Sequence, residues 1–210
     1  MSASEPSDAA LLETWAAGDK LAGEQLFERH FDAVARFFRN KLAADASHED
    51  LIQMTFLGCF EARDRFRADA SFRTFLFAIA RNQLGKYWRT RSRDRVDLQT
   101  VSIHDLDASP SAAIAKDQDQ QLLLIALRRI PLDSQVALEL HYWESLTADE
   151  IAAVLDLPLG TAKTRLRRAK QLLEGELRLV LAGQHGSART ESGLETWARD
   201  LRASVLAGDE

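Results

Sequence analysis

The residues best placed to do chemistry lie between Pro158 and Leu173, where Lys163, Arg165, Arg167, Arg168 and Lys170 stand with no acid among them. At 100° per residue, Thr161, Thr164, Arg168 and Gln171 share one arc of a helix; Arg165 and Arg167 flank it and Lys163 lies nearer its edge. An arginine can donate two hydrogen bonds to guanine. A threonine can touch a base edge or a thymine methyl, and flanking cations can neutralise phosphates. Such a face suits the major groove of duplex DNA, against the plainer alternative of a solvated charged surface.

A second basic island runs from Arg63 to Arg95, with ten basic residues against three acidic ones, a local charge of +7 in a chain whose net charge is −5. It interleaves Phe66, Phe72, Phe75, Phe77, Tyr87 and Trp88 with its arginines. Aromatic faces among cations suit unpaired bases, where stacking contributes about 1–3 kcal/mol per base, although Phe75 and Phe77 fit a core equally well. Between the islands, Asp97, Asp105, Asp107, Asp117 and Asp119 face only Lys116, so two basic islands flank an acidic bridge.

Other chemistries find no support in the residue pattern. The five histidines (His30, His48, His104, His141, His185) lie far apart, and none is spaced with a carboxylate as a metal ligand pair. Cys59 is the single cysteine, which excludes an internal disulfide and a Cys-pair zinc site and leaves it the role of a small buried apolar side chain. No metal, cofactor or catalytic residue is expected. The longest strongly apolar run, Leu122 to Leu127, is far short of the ~20 residues that cross a bilayer. The first residues carry Glu5, Asp8 and Glu13 but no basic or apolar leader region, so a cytoplasmic location without membrane contact is expected.

The elements that must carry these residues are helices. Helical periodicity runs through almost every segment and no alternating strand pattern appears, which predicts an all-α fold. Helices are expected near 8–17, 20–43, 48–64 and 71–91, forming a first domain over 8–93 with a core built on Leu26, Phe27, Phe31, Val34, Phe37, Phe38 and Leu42. Periodicity fails from Asp94 to Asp117, where Ser109-Pro110 and the acids predict a flexible linker. A second domain over 118–181 should hold helices near 118–130, 132–143, 147–155 and 160–181. Thr147 and Glu150 form a capping box, Pro158 closes the turn after Asp156-Leu157, and the spacing is that of a helix-turn-helix. An extension over 182–210 contains one amphipathic stretch, with Leu194, Trp197, Ala198, Leu201 and Val205 on one face, and a docking or regulatory role is expected for it.

Two long motifs carry a family resemblance. HEDLIQMTFLGCFEARDRFRADASFRTFLFAIARNQLGKYWRTRSR resembles region 2 of the sigma-70 factors of bacterial RNA polymerase, and LRRIPLDSQVALELHYWESLTADEIAAVLDLPLGTAKTRLRRAKQLL resembles region 4. The resemblance covers about residues 10–181 and is that of the two-domain extracytoplasmic-function group. It implies a promoter-specificity factor whose partners are core RNA polymerase, through the β′ clamp and β flap, and promoter DNA, with an anti-sigma factor as a further partner the sequence does not identify. Asp50, Leu51, Gln53, Thr55 and Phe56 are then expected on the β′ clamp. Phe66, Arg67, Ser71 and Phe72, with Asn82 and Lys86 on the next helix, are expected to hold the melted −10 strand. Thr161, Lys163, Thr164, Arg165, Arg167 and Arg168 are expected to read the −35 duplex. Met54 stands where the family usually has a carboxylate, Gly58 interrupts the same helix at about 1 kcal/mol against Ala, and Asp156 takes a turn position that is commonly Gly.

Two other classes compete. A stand-alone helix-turn-helix regulator would bind duplex without polymerase, which net negative charge and an acidic linker disfavour. An enzyme acting on DNA would need a nucleophile or clustered carboxylates, and the acids here are scattered over helix surfaces. The sequence leaves open whether the two domains pack together when free; a closed form would hide both DNA surfaces, with the acidic segments lying against the basic islands.

Overall fold

The computed structural model describes residues 5–43, 46–63, 66, 71–91, 97–106 and 118–183, and among these it contains nine helices and no strand. The first four are α1 (Asp8–Ala16), α2 (Lys20–Arg39), α3 (His48–Ala62) and α4 (Phe72–Arg91). Their starts follow from capping chemistry. Ser7, Asp19 and Ser47 each accept a hydrogen bond from a first-turn amide that has no partner inside its own helix. One face of each helix then turns inward: Leu26, Val34 and Phe38 from α2, Ile52 and Cys59 from α3, and Leu76, Phe77, Leu84 and Trp88 from α4 are buried together. Burial pushes the Cys59 thiol up to about 12, so it stays a neutral apolar side chain.

The second half consists of α6 (Gln118–Arg129), α7 (Leu132–Tyr142), α8 (Ala148–Leu155) and α9 (Leu159–Gly183), preceded by the single-turn helix α5 (Ile103–Leu106). The long helix α9 packs on α6, α7 and α8. Element order and boundaries agree with the periodicity to within a few residues. The all-α expectation holds, while the extension beyond Gly183 and much of the linker lie outside the described residues.

The linker expectation is corrected over the part that is described. Residues 97–106 are folded against both halves, with Leu98 and Ile103 buried. The carbonyls of Leu98 and Val101 accept from the Asp133 and Leu132 amides, giving the start of α7 the partners its own helix cannot supply. The sequence hides this because the stabilising groups are backbone carbonyls, which carry no residue signature.

The two halves are not separated bodies. One apolar cluster runs from α1–α4 into Leu132, Val136, Ala137 and Leu140 of α7 and Ile151, Val154 and Leu155 of α8. The chain end of α2 plugs this junction. Lys41 is fully buried and forms an ion pair with Glu139 of α7, which also accepts from Gln135 at 2.8 Å. The Lys41 carbonyl accepts from Trp88 Nε1 at 2.9 Å, and its ammonium lies 4.3 Å from the centroid of the Phe37 ring. Burial pulls the Lys41 amine down and pushes the Glu139 carboxyl up, and each is partly restored by the other's charge.

Helix α3 approaches α4 closely at Gly58, where an added Cβ would stand 2.9 Å from Ile79 Cγ2. The glycine that costs helix propensity is therefore a packing requirement. Gly58→Ala should lower stability by about 1–3 kcal/mol less the ~1 kcal/mol propensity gain, whereas Gly175→Ala, which meets nothing within 4 Å, should raise it by about 1 kcal/mol. Urea denaturation of the two variants checks the opposite signs. Replacing only Glu139 by Ala should cost about 3–5 kcal/mol, and adding Lys41→Met to it should recover much of that loss, because the uncompensated buried charge disappears. A double-mutant cycle measures the recovery.

Candidate nucleic-acid interface

The helix-turn-helix forms as its local sequence dictates. Thr147 Oγ1 accepts from the Glu150 amide at 3.3 Å while a Glu150 carboxylate oxygen accepts from the Thr147 amide at 2.9 Å, closing the capping box that starts α8. Asp156 ends α8 in left-handed backbone, φ 54° and ψ 55°, as its position in place of glycine anticipates. The Leu157 amide then donates to the Ala152 carbonyl at 2.9 Å, and the Pro158 carbonyl accepts from Ala162 as α9 begins. Ala162, Ala169 and Leu173 anchor α9 in the core, with Leu166 half-buried; Leu159, expected beside them, is exposed at the helix start.

That anchoring turns Thr161, Lys163, Thr164, Arg167 and Arg168 to solvent. Thr164 Oγ1 spends its hydrogen on the Gly160 carbonyl at 3.0 Å, so its methyl and oxygen lone pairs are what it offers outward. Arg165 departs from the expected face. Its guanidinium folds back to Asp133 Oδ2 at 3.1 Å and to Gln99 Oε1 at 2.9 Å, leaving only 14 % of the side chain exposed. The same carboxylate accepts from Arg81 of α4 at 3.0 and 3.2 Å, so one buried acid joins both halves. Helical phase alone places Arg165 at the flank of the arc, and only the packing of α7 brings an acid within its reach.

On the first half, Asn82 and Lys86 lie one turn apart and exposed on α4. Ser71 is exposed and bonded to Thr74 at 2.8 Å and to Glu150 at 3.1 Å, while Phe66 is half-buried with its ring edge-on to Phe75 at 5.3 Å. Arg67 lies outside the described residues. Phe72 is removed from the face: its ring is 3 % exposed, 5.4 Å from the ring of His30, and held by core packing. His30 is itself fixed by Asp8, 2.7 Å away, and burial draws the His30 pKa down. Most aromatics of this island thus belong to the core, since a helix that buries one face hides whatever rings fall on it.

The same correction applies to α3. Leu51, Thr55 and Phe56 face inward, Thr55 bonding its own helix at the Leu51 carbonyl, so their side chains are not presented to a partner. Asp50 and Gln53 are exposed. Between and beyond them, Met54, Leu57 and Phe60 are each about half exposed, with Phe31 of α2 alongside. This outward apolar stripe is the feature that residue-by-residue reading missed. Its signal was present, because α3 carries two apolar arcs and only one can meet its own core.

The described residues contain no group of three or more potential metal ligands and no helix long and apolar enough to cross a membrane. The packing of the two halves ties up Arg165 but leaves the rest of the α9 face, Asn82 and Lys86 exposed.

Comparison with known proteins accounts for both halves. Residues 26–94 match the model of Sigma-70 region 2, and residues 120–173 that of Sigma-70, region 4. The ECF RNA polymerase sigma-E factor of Salmonella typhimurium (strain LT2) is 25 % identical over 185 residues, spanning 83 % of this chain and 96 % of that protein. The sigma-E factor of Haemophilus influenzae is 25 % identical over 191 residues, spanning 85 % of this chain and 100 % of its own length. Among solved structures, the sigma factor RpoE in complex with the anti-sigma factor NepR from Bartonella quintana superposes with a TM-score of 0.58 at 25 % identity, covering 74 % of this chain and 96 % of that one. CnrH, solved in complex with the cytosolic domain of CnrY, shares the fold with a TM-score of 0.61 at 23 % identity, covering 82 % of this chain and 97 % of that one. A stand-alone helix-turn-helix regulator would leave residues 26–94 unexplained. With both sigma regions in order along one chain, and sigma-E factors aligned over nearly their whole length, the protein belongs to the sigma-70 family of RNA polymerase sigma factors, in the extracytoplasmic-function group.

Proposed function

We propose that this sigma factor works in the cytoplasm, joins core RNA polymerase through the outer face of α3, and reads promoters with two separate helices, catalysing no reaction of its own. The observation that carries this reading is the solvent-facing row on α9. Thr161, Thr164 and Arg168 lie along its centre, with Lys163 and Arg167 beside them, and they make no ion pair with any described residue. Arg168 and the threonines are the base-edge readers of the −35 duplex, and Lys163 and Arg167 hold its phosphates. Asn82, Lys86, Ser71 and Phe66 are the described residues that meet the −10 strand, with Arg67 beside them in sequence. Arg165 positions α9 against α7 through Asp133 rather than reading bases.

Asp50, Gln53, Met54, Leu57 and Phe60 form the surface offered to core polymerase, an apolar stripe with a polar rim of the kind protein interfaces use. An anti-sigma factor, the class of protein bound to RpoE in the Bartonella structure, is a further partner of this chain. The units of this chain span residues 8–93, 94–117, 118–181 and 182–210, and the second of them includes the segment 97–106 that packs on α7.

Run-off transcription on fragmented genomic DNA with purified core enzyme tests the function. New RNA starts that share two upstream elements at fixed spacing are expected, and no new starts from an active core would sink it. Arg168→Ala should cost about 1–3 kcal/mol at one −35 base pair and relax specificity there. Lys163→Ala should weaken binding evenly across sequences and reduce the salt slope by about 1, both read by anisotropy on promoter duplexes.

A further inference from the structure

We propose that the outer face of the C-terminal half of α9, lined by Leu172, Leu179 and Ala182, is the docking surface for residues 192–206 of the same chain, which return along it as an antiparallel helix. At 100° per residue, these three side chains continue the arc of Thr161, Thr164 and Arg168, so one face of α9 changes from polar to apolar partway along its length. Gly175 stands between them without a side chain. Leu179 is 63 % exposed, Ala182 is exposed and Leu172 is half-buried, while Ala169, Leu173 and Val180 supply the inward face of the same helix. An outward apolar stripe beside a helix's own core face marks a surface that another element covers.

The chain that follows carries a matching stripe. Ser192 and Glu195 have the spacing of a capping box, and Leu194, Trp197, Ala198, Leu201 and Val205 then share one face. A helix over 193–206 is about 20 Å long, enough to run from the end of α9 back past Leu172. The residues between, 184–191, span roughly 27 Å when extended, well beyond the ~8–10 Å that separates packed helix axes. A return is therefore within reach.

Charge selects its direction. Glu176 borders the α9 stripe on one side and Arg178 on the other; Arg202 and Asp200 border the second stripe in the same way. In an antiparallel pair the like-sided edges meet, and the register that sets Arg202 level with Glu176 also sets Asp200 level with Arg178. A parallel pair does the reverse. It brings Glu176 to Asp200 and Arg178 to Arg202 at one register, two repulsions in place of two attractions. Glu176 has capacity for this contact, since its pairing with Arg129 of α6 is a distant one at 3.9 Å.

Hydrogen exchange of the full chain, read by mass spectrometry, tests the docking. Amides of residues 194–206 should exchange roughly a hundredfold more slowly than in an unstructured chain, because a helix of that length is marginal without a partner. Leu179→Asp, a change at an exposed position, should return them close to the unstructured rate and leave exchange in α1–α4 as it was. Glu176→Arg should weaken the protection about two- to fivefold, and adding Arg202→Glu should restore it. Unprotected amides over 194–206, or protection indifferent to Leu179→Asp, would overturn the proposal. So would protection that fades on dilution, which assigns the face to a second copy of the chain instead.

Discussion

Lys41 and Glu139 meet buried between the two halves, and the packing of the described residues around that junction depends on their meeting. A lysine taken alone into that environment would lose its charge or unfold its surroundings. The pair survives because α2 ends there, the Trp88 indole N–H holds the Lys41 carbonyl, the Phe37 ring lies against the ammonium, and Gln135 donates to the carboxylate. Those groups come from α2, α4 and α7, so satisfying one buried charge sets the first half against the second. The apolar cluster then fills in around it, and Arg128 of α6 reaches the carbonyls of Asn40 and Leu42 at the same plug.

The interface so formed combines two kinds of contact with different consequences. Apolar packing is non-directional and holds the halves together regardless of sign. The ion pairs from Arg36, Arg73 and Arg81 to Glu144 and Asp133 are directional, and an anion of another origin can compete for the same guanidiniums. Asp133 carries two arginines from opposite halves, so any motion that withdraws Arg81 leaves the acid to Arg165 alone and alters how α9 is held. The packing of α9 and the closure between the halves thereby share a group.

A helix-turn-helix built on a capping box and a left-handed aspartate is a rigid support for the cations of α9. The order of its turn comes from short-range chemistry within ten residues. The first half differs. Its exposed polar residues Asn82 and Lys86 sit on a helix whose other faces are committed to the core, to α3 and to α8.

Much of this was legible without coordinates. Capping residues, glycine breaks and periodicity located the helices because those signals act within a few residues of the ends they mark. The α9 face was legible for the same reason: helical phase places Thr161, Thr164 and Arg168 together whatever surrounds them. What phase could not decide is which of two plausible arcs faces inward, and there the three-dimensional packing removed Phe72, Leu51, Thr55 and Phe56 from the surface and brought out Met54, Leu57 and Phe60. It also turned Arg165 back onto Asp133, folded residues 97–106 onto α7, and joined Lys41 to Glu139 across 98 positions of chain. The sequence by itself determined which helices form and which cations one helix can present, since those are local properties. Only the tertiary structure decided which of those groups find partners, because burial and ion pairing depend on atoms distant in the chain.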